Sequence, residues 1–189
     1  MPNNFKVKEN LKKHHQPSLL NTVKRGIYIG LGSNLDNPVQ QVLTAIKHLR
    51  SAADVHVVAV SNLYKTPPMG PQDQPDYINA VVELKTALSP YQLLQFLHQL
   101  ENQQDRSRDT ERWGARTLDL DLLLYADTIL NTDELTIPHT GIKQRAFVLY
   151  PLHDIALHKA LPLIGQVDAL IAQLNEPQPE IINPNKLDV

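Results

Sequence analysis

Thr117-Leu118-Asp119-Leu120-Asp121-Leu122-Leu123-Leu124-Tyr125 is the stretch on which the fold of this chain turns. A β-strand sends successive side chains to opposite faces. Leu118, Leu120, Leu122 and Leu124 are therefore expected on one face, with Asp119 and Asp121 on the other. Residues two apart on a strand lie roughly 6.5–7 Å apart along it. Carboxylates at that spacing can converge on one divalent cation, or on two held about 4 Å apart. Without a counter-ion they repel each other and lose hydration. Immediately upstream runs Arg106-Ser107-Arg108-Asp109-Thr110-Glu111-Arg112-Trp113-Gly114-Ala115-Arg116. Magnesium, these arginines, or both can supply the positive charge. The competing reading is a solvated acidic face beside a basic loop that pairs with Asp105, Asp109 and Glu111.

Outward from this strand, the spacing of apolar residues predicts the remaining elements. Residues 26–31 read as a strand and Gly32-Ser33-Asn34 as a turn. Asp36 or Asn37 can cap a helix that has Pro38 at its first position. Val39, Val42, Leu43, Ile46 and Leu49 then follow helical spacing. Residues 55–64 are β-branched and strand-like, and residues 65–75 form a proline-rich loop. Residues 76–86 are a strand with Ile78, Ala80, Val82 and Leu84 on one face and Asn79 on the other. Ser89-Pro90 opens a second helix that buries Leu93, Leu94, Leu97 and Leu100. Short strands are expected at residues 129–130 and 135–137, and a helix at residues 141–150. Strand, helix, strand, strand, helix, strand is the order of an α+β, ferredoxin-like βαββαβ sheet with helices packed on it. The expected division is an arm at residues 1–25, a domain at 26–165, and a C-terminal helix with a loosely held proline-rich tail at 166–189.

The bulk properties narrow the function classes. A chain of 189 residues, 42% hydrophobic and 20% charged, suits one globular domain. A formal net charge of -2 argues against a general polyanion binder, so no nucleic acid partner is expected. The absence of cysteine excludes disulfide and thiolate–metal chemistry. No apolar run reaches the length of a membrane span, and the polar, lysine-bearing first residues lack the centre of a secretory signal. A cytoplasmic location is the expectation.

Gly30-Leu31-Gly32-Ser33-Asn34-Leu35 lacks the third glycine of a dinucleotide fingerprint, and no phosphate-cradling Gly-x-x-x-x-Gly-Lys occurs. Phosphates, if bound, must be neutralised by side chains and metal. Arg106, Arg108, Arg112 and Arg116 offer forked donors suited to phosphate oxygens. Asn79 can read a heterocycle edge that presents both donor and acceptor, or be a satisfied structural amide. Tyr77 and Phe147 can stack on a flat ring or fill core. His98 and Glu101 share a helix face, and His139 is a loop histidine able to donate to a phosphate.

Several of these segments occur together in one known family. They are Gly32-Ser33-Asn34-Leu35; the run Tyr64-Lys65-Thr66-Pro67-Pro68-Met69-Gly70-Pro71-Gln72-Asp73-Gln74-Pro75-Asp76-Tyr77-Ile78-Asn79-Ala80; and Glu111-Arg112-Trp113-Gly114-Ala115-Arg116-Thr117-Leu118-Asp119-Leu120-Asp121. Ile137-Pro138-His139 and Arg145-Ala146-Phe147 extend the set. From about residue 26 to 160 the chain resembles the 6-hydroxymethyl-7,8-dihydropterin pyrophosphokinases of folate biosynthesis. The resemblance implies a ferredoxin-like fold, a monomer, and transfer of the β,γ-diphosphate of ATP to the pterin hydroxymethyl group with release of AMP. It implies that Asp119 and Asp121 hold two magnesium ions, and that Arg106 and Arg116 assist the chemical step. Asn79 would read the pterin edge, Tyr77 and Phe147 would stack on its faces, and main-chain groups around Thr66 and Met69 would complete the pocket. His98, Glu101, Arg108, Trp113, Arg116, Thr136, His139 and Arg145 would serve ATP. His98, Glu134 and Thr140 stand where glutamine, arginine and tyrosine are familiar, all on the nucleotide side.

Overall fold

The structure is a computed structural model that describes residues 23–105, 114–156 and 160–183. Its first strand, β1 (Lys24–Ser33), leads through Asp36 and Asn37 into helix α1 (Pro38–Ser51). Pro38 stands at the expected first position, but Asn37 is not a side-chain cap. Asp36 and Asn37 instead take left-handed backbone with φ 51 and 61, the other use to which short Asx residues are suited. β2 (Val55–Val60), β3 (Leu63–Thr66) and β4 (Tyr77–Thr86) follow, then α2 (Pro90–Gln103). Ser89 caps α2 in a complete box: its Oγ accepts the Gln92 N–H, and Gln92 Oε1 accepts the Ser89 N–H. β5 (Asp119–Tyr125), β6 (Leu130–Asn131) and β7 (Thr136–Ile137) precede α3 (Ala146–Ala156). β8 (Ala160–Leu161), β9 (Gly165–Gln166), α4 (Val167–Ile171) and β10 (Glu180–Ile182) complete the described elements.

The main sheet runs β10-β3-β4-β1-β5, and β2 also pairs with β4. Every pairing in it is antiparallel. The single strand expected over residues 55–64 is two, because the chain steps aside at Ser61. Ser61 Oγ accepts the Val81 N–H at 2.9 Å while its own N–H reaches Val81 O at 3.0 Å. β2 and β3 thereby pair with successive halves of β4.

One face of the sheet packs α1 and α2. Ile27, Ile29 and Leu31 meet Ile78, Ala80, Val82 and Leu84 there, under Val42, Ile46, Leu49, Leu93 and Leu97. A buried leucine of this kind contributes roughly 1.5–3 kcal/mol. The other face packs α3 on Tyr28, Val81, Leu123 and Leu124. Leu124 thus departs from the expected alternation. The β1–β5 register moves from Ile29↔Leu122 to Tyr28↔Leu124, and the bulge turns Leu124 to the α3 side while Tyr125 returns to the α1–α2 side.

Two further expectations differ. Residues 141–144 form turns, and α3 starts only at Ala146 and continues through Pro151. A proline here forfeits one hydrogen bond, and burial of Val148, Leu149 and Leu152 outweighs that loss. The segment assigned to a loose tail supplies β10, whose Glu180, Ile181 and Ile182 stand opposite Lys65, Tyr64 and Leu63.

Candidate active site

The register of the central strands lines up the site. Gly32 of β1 lies between Asn79 of β4 and Asp119 of β5, and Gly30 lies between Val81 and Asp121. These residues share the α3 side of the sheet. The two glycines therefore form a floor without side chains between polar walls. A Cβ at Gly32 would stand 3.4 Å from Asn79 Oδ1 and 3.9 Å from Asp119 Cβ.

Beside the space over this floor, and sharing Tyr77, Asn79, Asp119 and Phe147 with it, opens a cleft with about 500 Å³ of empty space, lined by Thr66, Pro67, Met69, Gly70, Tyr77, Asn79, Arg116, Asp119, Arg145 and Phe147. All five residues expected around the pterin are brought together in it. Asn79, 5% exposed, donates its amide Nδ2–H to Thr66 Oγ1 at 2.8 Å, which leaves Oδ1 toward Gly32. Thr66 thus meets Asn79 through its side chain. Tyr77 donates its hydroxyl to Gly114 O at 3.1 Å, joining the start of β4 to the end of the arginine loop. Phe147, half-buried at the head of α3, has the Arg145 guanidinium 5.7 Å from its ring centre. Met69 is 57% exposed at the rim.

A second cleft, with about 790 Å³ of empty space, lies on the far side of the aspartates. His98, Glu101, Thr136 and His139 line it, together with Asp119, Asp121, Glu134 and Thr140. Four residues expected on the nucleotide side meet there, and all three positions that depart from the familiar pattern do too. Arg116 and Arg145, expected on that side, instead line the first cleft. Arg106, Arg108 and Trp113 lie outside the described residues. Glu101 is fully buried, and its Oε1 accepts the N–H of Leu120, the residue between the two aspartates, at 2.8 Å. It fixes the strand as well as lining the cleft.

Charge is organised around Asp119, which lines both clefts. Arg116 Nη1 reaches Asp119 Oδ2 at 3.0 Å, and Arg116 Nε donates to Gly114 O at 3.2 Å. Burial works against the Arg116 charge, yet Asp119 and, more weakly, Asp121 hold its pKa above the ordinary range. Burial and the nearby Arg145 push the His139 pKa down, against the pull of Asp119. His139 Nδ1 accepts the Gly141 N–H at 3.2 Å, which leaves a neutral ring able to donate from Nε2. Among the described residues no three His, Asp or Glu side chains gather as a closed metal site. The donor set still suits magnesium, which is commonly bound by one or two carboxylates with phosphate oxygens and water completing the shell. Arg116 already balances one of those carboxylates with positive charge.

Asn34 is a participant that spacing alone did not reveal. It is 1% exposed, donates Nδ2 to Gln74 Oε1 and Pro75 O at 3.1 Å each, and accepts the Arg116 N–H on Oδ1 at 2.8 Å. One amide thus ties β1, the proline loop and the arginine loop together. Its position in an apparent turn carried no hint of partners 40 and 82 residues away.

Known proteins share this architecture and sequence. A family model for 7,8-dihydro-6-hydroxymethylpterin-pyrophosphokinase (HPPK) matches residues 28–157. The chain is 46% identical over 157 residues to the 2-amino-4-hydroxy-6-hydroxymethyldihydropteridine pyrophosphokinase of Haemophilus influenzae, covering 83% of this chain and 98% of that protein. The enzyme of the same name from Pseudomonas aeruginosa is 46% identical over 136 residues, covering 72% of this chain and 83% of its own length. That of Bacillus subtilis is 42% identical over 128 residues, covering 68% of this chain and 76% of its own length. In three dimensions, wild-type HPPK-DHPS of Plasmodium falciparum, crystallised with pterin and p-hydroxybenzoate, superposes with a TM-score of 0.59 at 15% identity. That superposition covers 82% of this chain and spans only 44% of the Plasmodium chain, and it speaks to the fold alone. With a family match over residues 28–157 and a 46% identical relative spanned over 98% of its length, the chain belongs to the 7,8-dihydro-6-hydroxymethylpterin-pyrophosphokinase family.

Proposed function

We propose a division of labour within the cleft for the reaction of this family. The chain is a diphosphokinase that transfers a pyrophosphoryl group from ATP to 6-hydroxymethyl-7,8-dihydropterin, a step of folate biosynthesis. The carrying observation is the junction at Asp119, where a cleft with an amide and two aromatic rings meets a larger polar cleft. The pterin lies in the first: Asn79 pairs with its edge, and Tyr77 and Phe147 stack on its faces. ATP lies in the second, among His98, Glu101, Thr136 and His139, with Arg108 and Trp113 assigned to it from the sequence.

Asp119 and Asp121 would hold magnesium, two ions in this reading, which when bound neutralises phosphate charge and polarises the β-phosphorus. The chain's own residues do the rest. The two clefts hold the hydroxymethyl oxygen facing the β-phosphorus. That oxygen bonds to phosphorus as the bond to the AMP oxygen breaks, and the hydroxymethyl proton is released. Arg116, with Arg106, stabilises the charge that moves onto AMP. The neutral His139 donates from Nε2 to a phosphate oxygen without adding charge.

The ferredoxin-like topology belongs to this proposal. β2 and β3 beside β4, then β1, then β5, with α1 and α2 on one face, support it. A monomeric, cytoplasmic protein without a nucleic acid partner is part of the same proposal. Among the described residues no helix is long and apolar enough to cross a membrane, and the net charge of -2 offers no broad polyanion surface.

Incubation with ATP and magnesium, with and without the reduced pterin, tests the reading. AMP formed only when pterin is present is the expected result. Inorganic phosphate released without pterin would reassign the cleft to hydrolysis.

A further inference from the structure

We infer that Asp154, outside both clefts, is a positioning residue that sets the pterin pocket by fastening α3 to β3. This rests on the pterin reading of the first cleft. Two walls of that cleft come from different elements: Thr66 from the end of β3, and Phe147 from the start of α3. α3 meets the sheet through Tyr28, Val81, Leu123 and Leu124, and apolar contacts of this kind are non-directional. They hold the helix down without fixing where it sits along its axis.

Asp154 supplies the missing direction. Its Oδ2 accepts the Asn62 N–H at 2.9 Å and the Asn62 side-chain amide at 3.0 Å, and its Oδ1 accepts the Tyr64 hydroxyl at 2.9 Å. Three donors on one carboxylate form a charge-assisted, directional clamp. Tyr64 is 1% exposed and stands directly opposite Asn79 in the β3–β4 pairing. Two residues further along β3, Thr66 holds the Asn79 amide. Phe147 precedes Asp154 by about two helical turns, roughly 10.5 Å along the axis. The clamp therefore fixes the stacking ring relative to the amide that reads the pterin edge, and touches neither ligand.

The test separates substrates. Pterin dissociation constants are measured by ligand fluorescence, and KM for ATP and melting temperature are recorded for Asp154→Ala, Tyr64→Phe and Asp154→Glu. Asp154→Ala and Tyr64→Phe are expected to weaken pterin binding at least fivefold while KM for ATP stays within twofold. Asp154→Glu, which keeps the acceptor, is expected to recover much of the loss. A proportional weakening of both substrates that tracks the melting temperature would reduce Asp154 to a general anchor and overturn the inference. Asn79→Ala and Phe147→Ala are measured beside them. If these weaken pterin binding and the Asp154 and Tyr64 variants do not, the inference fails alone. If none of them does, the pterin reading fails with it.

Discussion

At Gly32 the site is built by leaving an atom out. Its neighbours across the sheet are Asn79 and Asp119, and a methyl group would enter the space between them, 3.4 Å from Asn79 Oδ1. The protein itself has room for that methyl group in ordinary contact, so Gly32→Ala is expected to leave the fold intact and to weaken pterin binding severalfold by taking space over the floor. An unchanged dissociation constant would show that the ligand keeps clear of the floor. Asp121 faces the same floor one strand over, and its carboxylate is assigned to metal. Asp121→Ala should abolish AMP formation and leave a single cooperative melt, because the half-exposed side chain lies outside both apolar clusters. Retained turnover would remove Asp121 from the metal site. Arg116 is held between Asp119 and Gly114 O and is fixed before substrate arrives. Arg116→Ala should lower kcat roughly a hundredfold, as loss of other charge-stabilising donors does. An effect confined to KM for ATP would assign it to binding instead.

Elements whose reasons are local could be read from the chain. α2 announces itself through Ser89, Pro90, Gln92 and leucines at helical spacing, and the structure forms that box and that face. The aspartate pair was legible because alternation over a few residues suffices to place it. The five pterin-side residues came from the family pattern and meet in one cleft. Features that depend on a distant partner were not legible. The break at Ser61 needs Val81, and the bulge that turns Leu124 needs β1. Tyr28 shows the same dependence in its acidity. Burial, and then the charge of Glu83 across the β1–β4 pairing, push its pKa up to about 12. Unfolded tyrosine releases its proton near pH 10, as expected for the free side chain. Between these values the folded chain binds more protons, so stability falls as pH rises. The Tyr28 contribution is complete below pH 10 and lost through about 12. Tyr28→Phe should flatten the decline of urea midpoints across that interval relative to the parent. Parallel declines would locate the titrating group elsewhere.

The molecule as a whole extends its site beyond the part that defines the family. The family match ends at residue 157, yet β10 lies at Glu180–Ile182 and forms the outer edge of the main sheet. β3 has only four residues, and its end carries Thr66 into the first cleft. β4 holds one side of β3 and β10 the other. Ile182 also packs against the main apolar cluster. A backbone hydrogen bond contributes about 0.5–1.5 kcal/mol net, so this short pairing and its packing are worth a few such increments. A chain ending at Gln178 should therefore fold with stability lowered by roughly 1–3 kcal/mol. Its exposed β3 edge should lose amide-exchange protection at Leu63, Tyr64 and Lys65 before any loss appears in β1 or β5. Pterin binding should weaken severalfold, because Thr66 and the loop that follows it would no longer be held from outside. ATP binding should change little, since the second cleft is built from α2, β5 and residues 132–140 on the opposite edge of the sheet. Equal protection of β3 in the full and shortened chains, with equal pterin affinity, would mean that β4 alone holds the strand and that β10 contributes nothing to the site.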